Sequence, residues 1–145
     1  KFDAHLDFDL ELAKSQTPEN PSFYIQYAHA RIESIKAKAH EEGVKLPGRP
    51  EESMAKLGNP AERRLLRLLS QFEDSLVGAE RTLEPYRLVP YLMELASSFH
   101  KFYADNRVVS EDAELTEARL FLAEGVQRVI KTGLNLLGVS APLKM

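Results

Sequence analysis

Apolar positions along this chain recur at intervals of three and four residues, and no segment alternates apolar with polar as a half-buried strand would. That periodicity predicts helices throughout. Ile25, Ala28, Ile32, Ile35 and Ala39 form the first long stripe. Asn20 can cap it, Pro21 suits the first helical position, and Gly43 ends it, so the helix runs from about Pro21 to Glu42. Asn59-Pro60 repeats the opening signal, and Leu65, Leu66, Leu69, Phe72, Leu76 and Val77 continue as one stripe. Val89, Met93, Ala96, Phe99, Phe102 and Tyr103 form a third, started or interrupted by Pro85 and Pro90. The fourth runs from about Asp112 to Leu137, with Leu115, Leu122, Val126, Val129 and Ile130 inward and Gly138 closing it. Asp7 to Lys14 predicts a brief acidic helix begun by Asp7 or Asp9, followed by a break with Pro18. Val44 to Gly58, rich in Pro and Gly, predicts a long connection with one turn around Glu52 to Lys56. The expected fold is all-α, a bundle of about four to five helices.

Composition narrows the class. The chain has 145 residues and 43% hydrophobic content, enough for one domain with its own core. It has no cysteine, which excludes disulfides and thiolate metal sites and fits a reducing, cytoplasmic setting. No apolar run approaches the length of a membrane span, so no membrane partner is expected. A net charge of −3 argues against a broad basic surface for DNA or RNA. A local site remains open, because Lys56, Arg63, Arg64 and Arg67 cluster while Glu41, Glu42, Glu51 and Glu52 dilute the neighbouring region.

Catalytic signatures are missing. The seven glycines are scattered, which excludes a phosphate-binding loop. His5, His29, His40 and His100 lack the spacing of a helical metal pair. Asp7, Asp9 and Glu11 read as an acidic helix start rather than an acid–base pair. No catalytic or metal-ligating residue is therefore expected. Two aromatic–arginine pairs remain, Tyr27 with Arg31 and Tyr103 with Arg107, each four apart and so on one helix face, although Arg107 stands near a helix end. Such a face could stack unpaired bases and hold phosphates. Equally, it could be intrahelical cation–π packing, which spacing alone favours. The same reasoning makes His29 a partly buried residue with a local hydrogen bond, and Phe99-His100-Lys101-Phe102-Tyr103 core aromatics with polar residues facing out.

The residues themselves carry a resemblance. Asp7-Phe8-Asp9-Leu10, Asn20-Pro21 and the run Tyr24-Ile25-Gln26-Tyr27-Ala28-His29-Ala30-Arg31-Ile32 resemble arginyl-tRNA synthetases at the passage from catalytic to C-terminal domain. Phe99-His100-Lys101-Phe102-Tyr103 with Arg107-Val108, then Ala118-Arg119-Leu120, Gly133-Leu134, Leu136-Leu137-Gly138 and the ending Ala141-Pro142-Leu143-Lys144-Met145, are similar to later motifs of that family, in the same order. Ser22 departs from a position often held there by a small aliphatic.

The resemblance implies a helical anticodon-binding domain of the type shared by several class I synthetases. It makes residues 1–16 a junction after a catalytic domain and residues 17–145 the binding domain. The class I His-x-Gly-His-like and Lys-Met-Ser-Lys-Ser-like motifs are absent, and the first residue is Lys1, so the chain is expected to be a piece that binds arginine tRNA without forming the adenylate. No cofactor is expected here. ATP and Mg would act in the full-length enzyme, and its own catalytic domain would be a partner. By motif, Tyr27, Arg31, Tyr103, Arg107 and Met145 fall where the family meets the anticodon loop, with Tyr103 receiving a displaced base. Two alternatives stand beside this one: a helical module that binds a protein, and the equivalent domain of another class I synthetase.

Overall fold

The computed structural model describes residues 9–44 and 52–145. Helix α1 (Leu10–Lys14) starts at Asp9, whose side chain accepts from the Leu12 amide at 2.9 Å. Asp7, the other expected start, and Phe8 lie outside the described residues. Asn20 then joins α1 to α2 (Pro21–Glu41). Its Oδ1 accepts from the Ser22 and Phe23 amides, while its Nδ2 donates to the carbonyls of Ala13 and Ser15. Gly43, with a φ of +79°, follows the helix end in a conformation that a side chain would strain.

The expected turn within the long connection is present as a 3-10 turn at Ser53–Lys56. The second stripe, however, is carried by two helices, α3 (Pro60–Ser70) and α4 (Phe72–Thr82), which meet at Gln71. At the junction the Gln71 amide is shared between the Arg67 and Leu68 carbonyls. Tyr91 donates its hydroxyl to the Leu68 carbonyl at 2.8 Å, and Ser70 Oγ donates to the Arg67 carbonyl at 2.8 Å. Both carbonyls keep a backbone bond from the Gln71 amide as well, so the side-chain contacts accompany the junction without replacing its ladder. Helix α5 (Leu88–Asp105) tolerates Pro90 because the third helical position has no intrahelical partner for its N–H. Asp112 caps α6 (Ala113–Leu136), and Gly138 takes a φ of +72° just beyond its end.

Helices α5 and α6 pack together at the centre, and both α2 and α3 lie against them. The core rests on Ile25, Ile32, Leu65, Leu92, Leu95, Phe99, Phe102, Leu120, Leu122, Ile130 and Leu134, all nearly or wholly buried. Val89, Met93, Leu115 and Val129 are only half-buried, because the inward stripes are centred one position away from them. Gly133 sets the α5–α6 distance. A Cβ there would come within 2.6 Å of Leu92 Cδ2, and Leu92 is itself fully buried. Gly133→Ala is therefore expected to cost about 1–3 kcal/mol through overpacking, read as a lower urea midpoint at unchanged slope. Gly78→Ala, where a Cβ meets open space, is the control and should not destabilise.

Candidate nucleic-acid interface

The pairing expected from spacing is exchanged in the structure. Arg31 on α2 places its guanidinium carbon 4.9 Å from the centroid of Tyr103, which belongs to the neighbouring helix α5. Tyr27 turns instead towards Phe23, with rings stacked at 6.4 Å and 11°, and towards His100 at 5.5 Å. Buried Phe99 backs Tyr103 in a stack of 6.3 Å and 16°. His100 sits between these groups, edge-on to Tyr24 at 5.1 Å. Burial first, and the Arg31 charge second, push its pKa below the ordinary imidazole value, with the Tyr24 backbone partly opposing them. The result is a continuous aromatic ridge along α2 and α5. Tyr27 is 41% exposed, Arg31 is exposed, and Tyr103 is half-buried.

Arg107 lies beyond the end of α5, so it does not share a helix face with Tyr103. Both nonetheless line one groove of about 790 Å³, together with Ile35, Lys38, Glu42, Asp105 and Val108. The groove wall is braced from below. Arg119 on α6 donates to the Arg107 carbonyl at 2.7 Å and to Glu62 Oε1 at 2.8 Å. Glu62, only 1% exposed, also accepts from the Gly58 and Asn59 amides, closing the capping box of α3. Asn59 completes the link through its 2.8 Å hydrogen bond to Asn106.

The chain after α6 folds back along α2. Gln26 Nε2 donates to the Ser140 carbonyl at 2.9 Å, and His29 Nδ1 donates to the Pro142 carbonyl at 2.8 Å. His29 is thus buried and hydrogen-bonded as expected, but to a residue far away in sequence. Its position, two residues from Arg31, puts the tail on another side of α2. Met145 ends this tail, 53% exposed, and is not among the residues that line the Tyr103 groove.

Chemically, this surface offers ring faces, two guanidinium groups and an ammonium, with the Glu42 and Asp105 carboxylates in the same groove. Among the described residues no group of three or more His, Asp or Glu could hold a metal, and no helix is long and apolar enough to cross a membrane. The family model for the DALR anticodon binding domain matches residues 25–145. The chain belongs to the DALR anticodon-binding domain family. It is 49% identical, over its whole length, to an arginine–tRNA ligase of Geobacter metallireducens, and 44% identical to one of Moorella thermoacetica. It spans 26% of the length of each. Among solved structures, an arginyl-tRNA synthetase from Campylobacter jejuni superposes with a TM-score of 0.81 at 32% identity, over 100% of this chain and 31% of that one. The Thermus thermophilus arginyl-tRNA synthetase gives 0.72 at 33% identity, over 92% and 22%.

Within this DALR domain, Tyr27, Arg31, Tyr103 and Arg107 are brought to one side of α2 and α5, while Met145 is carried separately by the tail. Sequence reasoning missed Glu62 and the supporting role of Arg119. The Asn59-x-x-Glu62 spacing is a recognisable capping-box signal. Nothing local in the sequence announces that the same carboxylate also receives Arg119.

Proposed function

We propose that this DALR domain recognises the anticodon loop of arginine tRNA as part of an arginine–tRNA ligase. Residues 1–16 then join it to the catalytic domain, which uses ATP and Mg to charge the tRNA during translation in the cytoplasm. The observation that supports this reading most is the Arg31–Tyr103 stack on an exposed face beside Tyr27. Arg31 covers the Tyr103 ring in the free protein. A displaced loop base can stack on the planar guanidinium, or take its place on Tyr103 while Arg31 turns to a phosphate. Arg107 lines the same groove and offers positive charge to the backbone of the loop, whereas Lys38 there lies 3.8 Å from the Glu42 carboxylate. Met145 is proposed to approach the loop from the α2-bound tail. The names of the relatives support arginine over another amino acid and RNA over a protein partner.

Binding at this distance from the chemistry would act by orienting the acceptor end, raising rate as well as affinity. Tyr27→Ala and Tyr103→Ala, made singly in the full-length enzyme, are each expected to remove roughly 1–3 kcal/mol of tRNA binding. Arginylation at limiting tRNA should fall in step, while Tyr→Phe variants retain most of both. Wild-type affinity and activity in both alanine variants would contradict the stacking mechanism.

A further inference from the structure

The segment after α6 is fastened at two points. Gly138, at a φ of +72°, turns the chain, and the Val139 amide donates back to the Leu134 carbonyl at 2.9 Å. Val139 and Ala141 then pack against the core, while two side chains of α2 take the carbonyls of the residues that alternate with them. Gln26 Nε2 reaches both the carbonyl and the hydroxyl oxygen of Ser140, at 2.9 and 3.2 Å. His29 Nδ1 donates to the Pro142 carbonyl at 2.8 Å. His29 is 2% exposed, and an apolar residue could fill that place without needing a partner. A buried imidazole there is satisfied only by a tail whose carbonyl stands at one point, so it fixes where the tail leaves α2. The three residues past Pro142 are all exposed, Leu143 at 59% and Met145 at 53%, with Lys144 between them.

We infer that Gln26 and His29 are positioning residues for RNA binding, which hold the tail so that Leu143, Lys144 and Met145 project from the flank of α2 next to the aromatic ridge. The inference rests on the reading that this face binds an anticodon loop. Gln26 precedes Tyr27 and stands one turn beyond Phe23, so the tail is held at the far edge of the Phe23–Tyr27 stack. A loop laid across the solvent side of α2 then meets ring faces on one flank and the tail on the other. The projecting residues suit such a ligand. Two apolar side chains can lie against bases, and the ammonium between them can meet a phosphate. Held by its two clamps, this short segment is presented in one direction. Released, the same three residues lose that direction and must be ordered when RNA binds. Neither Gln26 nor His29 needs to touch the RNA.

The test crosses clamp variants with removal of residues 143–145 in the full-length enzyme, reading affinity for arginine tRNA and arginylation at limiting tRNA. His29→Leu is expected to weaken binding by roughly 3- to 10-fold, the share of one lost hydrogen bond, and by no more than the truncation does. In the truncated enzyme His29→Leu should add nothing, because the clamp then holds nothing that meets RNA. Gln26→Leu should behave alike with a smaller loss. His29→Asn, which places an amide N–H near the Nδ1 position, should restore most of the affinity. Losses that add in the combined variant would overturn the inference, since the clamp would then act without the tail. So would a harmless truncation beside a weakened His29→Leu, or clamp variants that bind as wild type while the truncation does not. Tyr103→Ala, measured in parallel, separates the two readings. If it alone weakens binding, the clamp is wrong and loop recognition stands. Normal binding by both Tyr103→Ala and the truncation overturns the loop-binding reading itself. Melting temperatures establish that each variant is folded, and Gln26→Leu decides if His29→Leu is not.

Discussion

Glu62→Ala is expected to lower stability by about 3–5 kcal/mol, the range for breaking a buried ion pair from one side. The Glu62 carboxylate is 1% exposed and accepts from Arg119 and from the Gly58 and Asn59 amides. Its removal leaves Arg119, whose side chain is 12% exposed, as an uncompensated charge, and orphans two helix-entry amides. For a domain of this size the melting temperature should fall by roughly 6–20 °C. Glu62→Gln, which can still accept from the amides, should lose less. A Glu62→Leu/Arg119→Met double variant should lose less than Glu62→Ala, because no unpaired charge remains buried. Arg119 also holds the Arg107 carbonyl, so in Glu62→Ala the groove wall loosens and tRNA affinity should drop even where the protein is fully folded. An unchanged melting temperature would mean that the Glu62–Arg119 pair is not a structural link between α3 and α6.

Phe99→Ala should cost a similar amount, about 3–5 kcal/mol, by emptying a large site in the core. Phe99 is fully buried and packs on Phe102 at 6.3 Å, on His100 at 6.0 Å and on Tyr103 at 6.3 Å. It differs from other core residues in standing directly behind the Tyr103 ring. Its loss should therefore weaken tRNA binding as well as stability, while Leu95→Ala, also buried on α5, should affect stability alone. Chemical denaturation gives the first quantity, and tRNA titration well below the melting temperature gives the second. Equal tRNA affinity in the two variants would separate the core from the site and remove Phe99 as a support of Tyr103.

What could be read from the sequence is what local chemistry determines. Asn20, Asn59 and Asp112 cap their helices, and Gly43 and Gly138 adopt positive φ beyond helix ends, because each acts on residues within one turn. The break at Gln71 could not be read, since the apolar stripe from Leu65 to Val77 keeps helical spacing across it, and the Tyr91 hydroxyl that meets the Leu68 carbonyl there comes from a distant part of the chain. The site divides in the same way. Tyr27, Arg31, Tyr103 and Arg107 were identifiable as residue types in a family pattern. The stack of Arg31 on Tyr103 depends on the side-by-side packing of α2 and α5, and helical spacing instead suggests the intrahelical pairs. His29 shows the same limit: its partner, the Pro142 carbonyl, is set by the return of the tail along α2.

The central claim is that the α2–α5 face reads an anticodon loop rather than any polyanion. It is tested most directly by titrating the full-length enzyme with arginine tRNA and with the same tRNA carrying another anticodon, at two salt concentrations. Base recognition predicts weaker binding of the swapped tRNA by about tenfold or more. Backbone contacts common to both tRNAs should give similar salt slopes. Equal affinity for the two tRNAs at both salt concentrations would contradict the account, and reduce the Tyr27, Arg31, Tyr103 and Arg107 surface to general electrostatics.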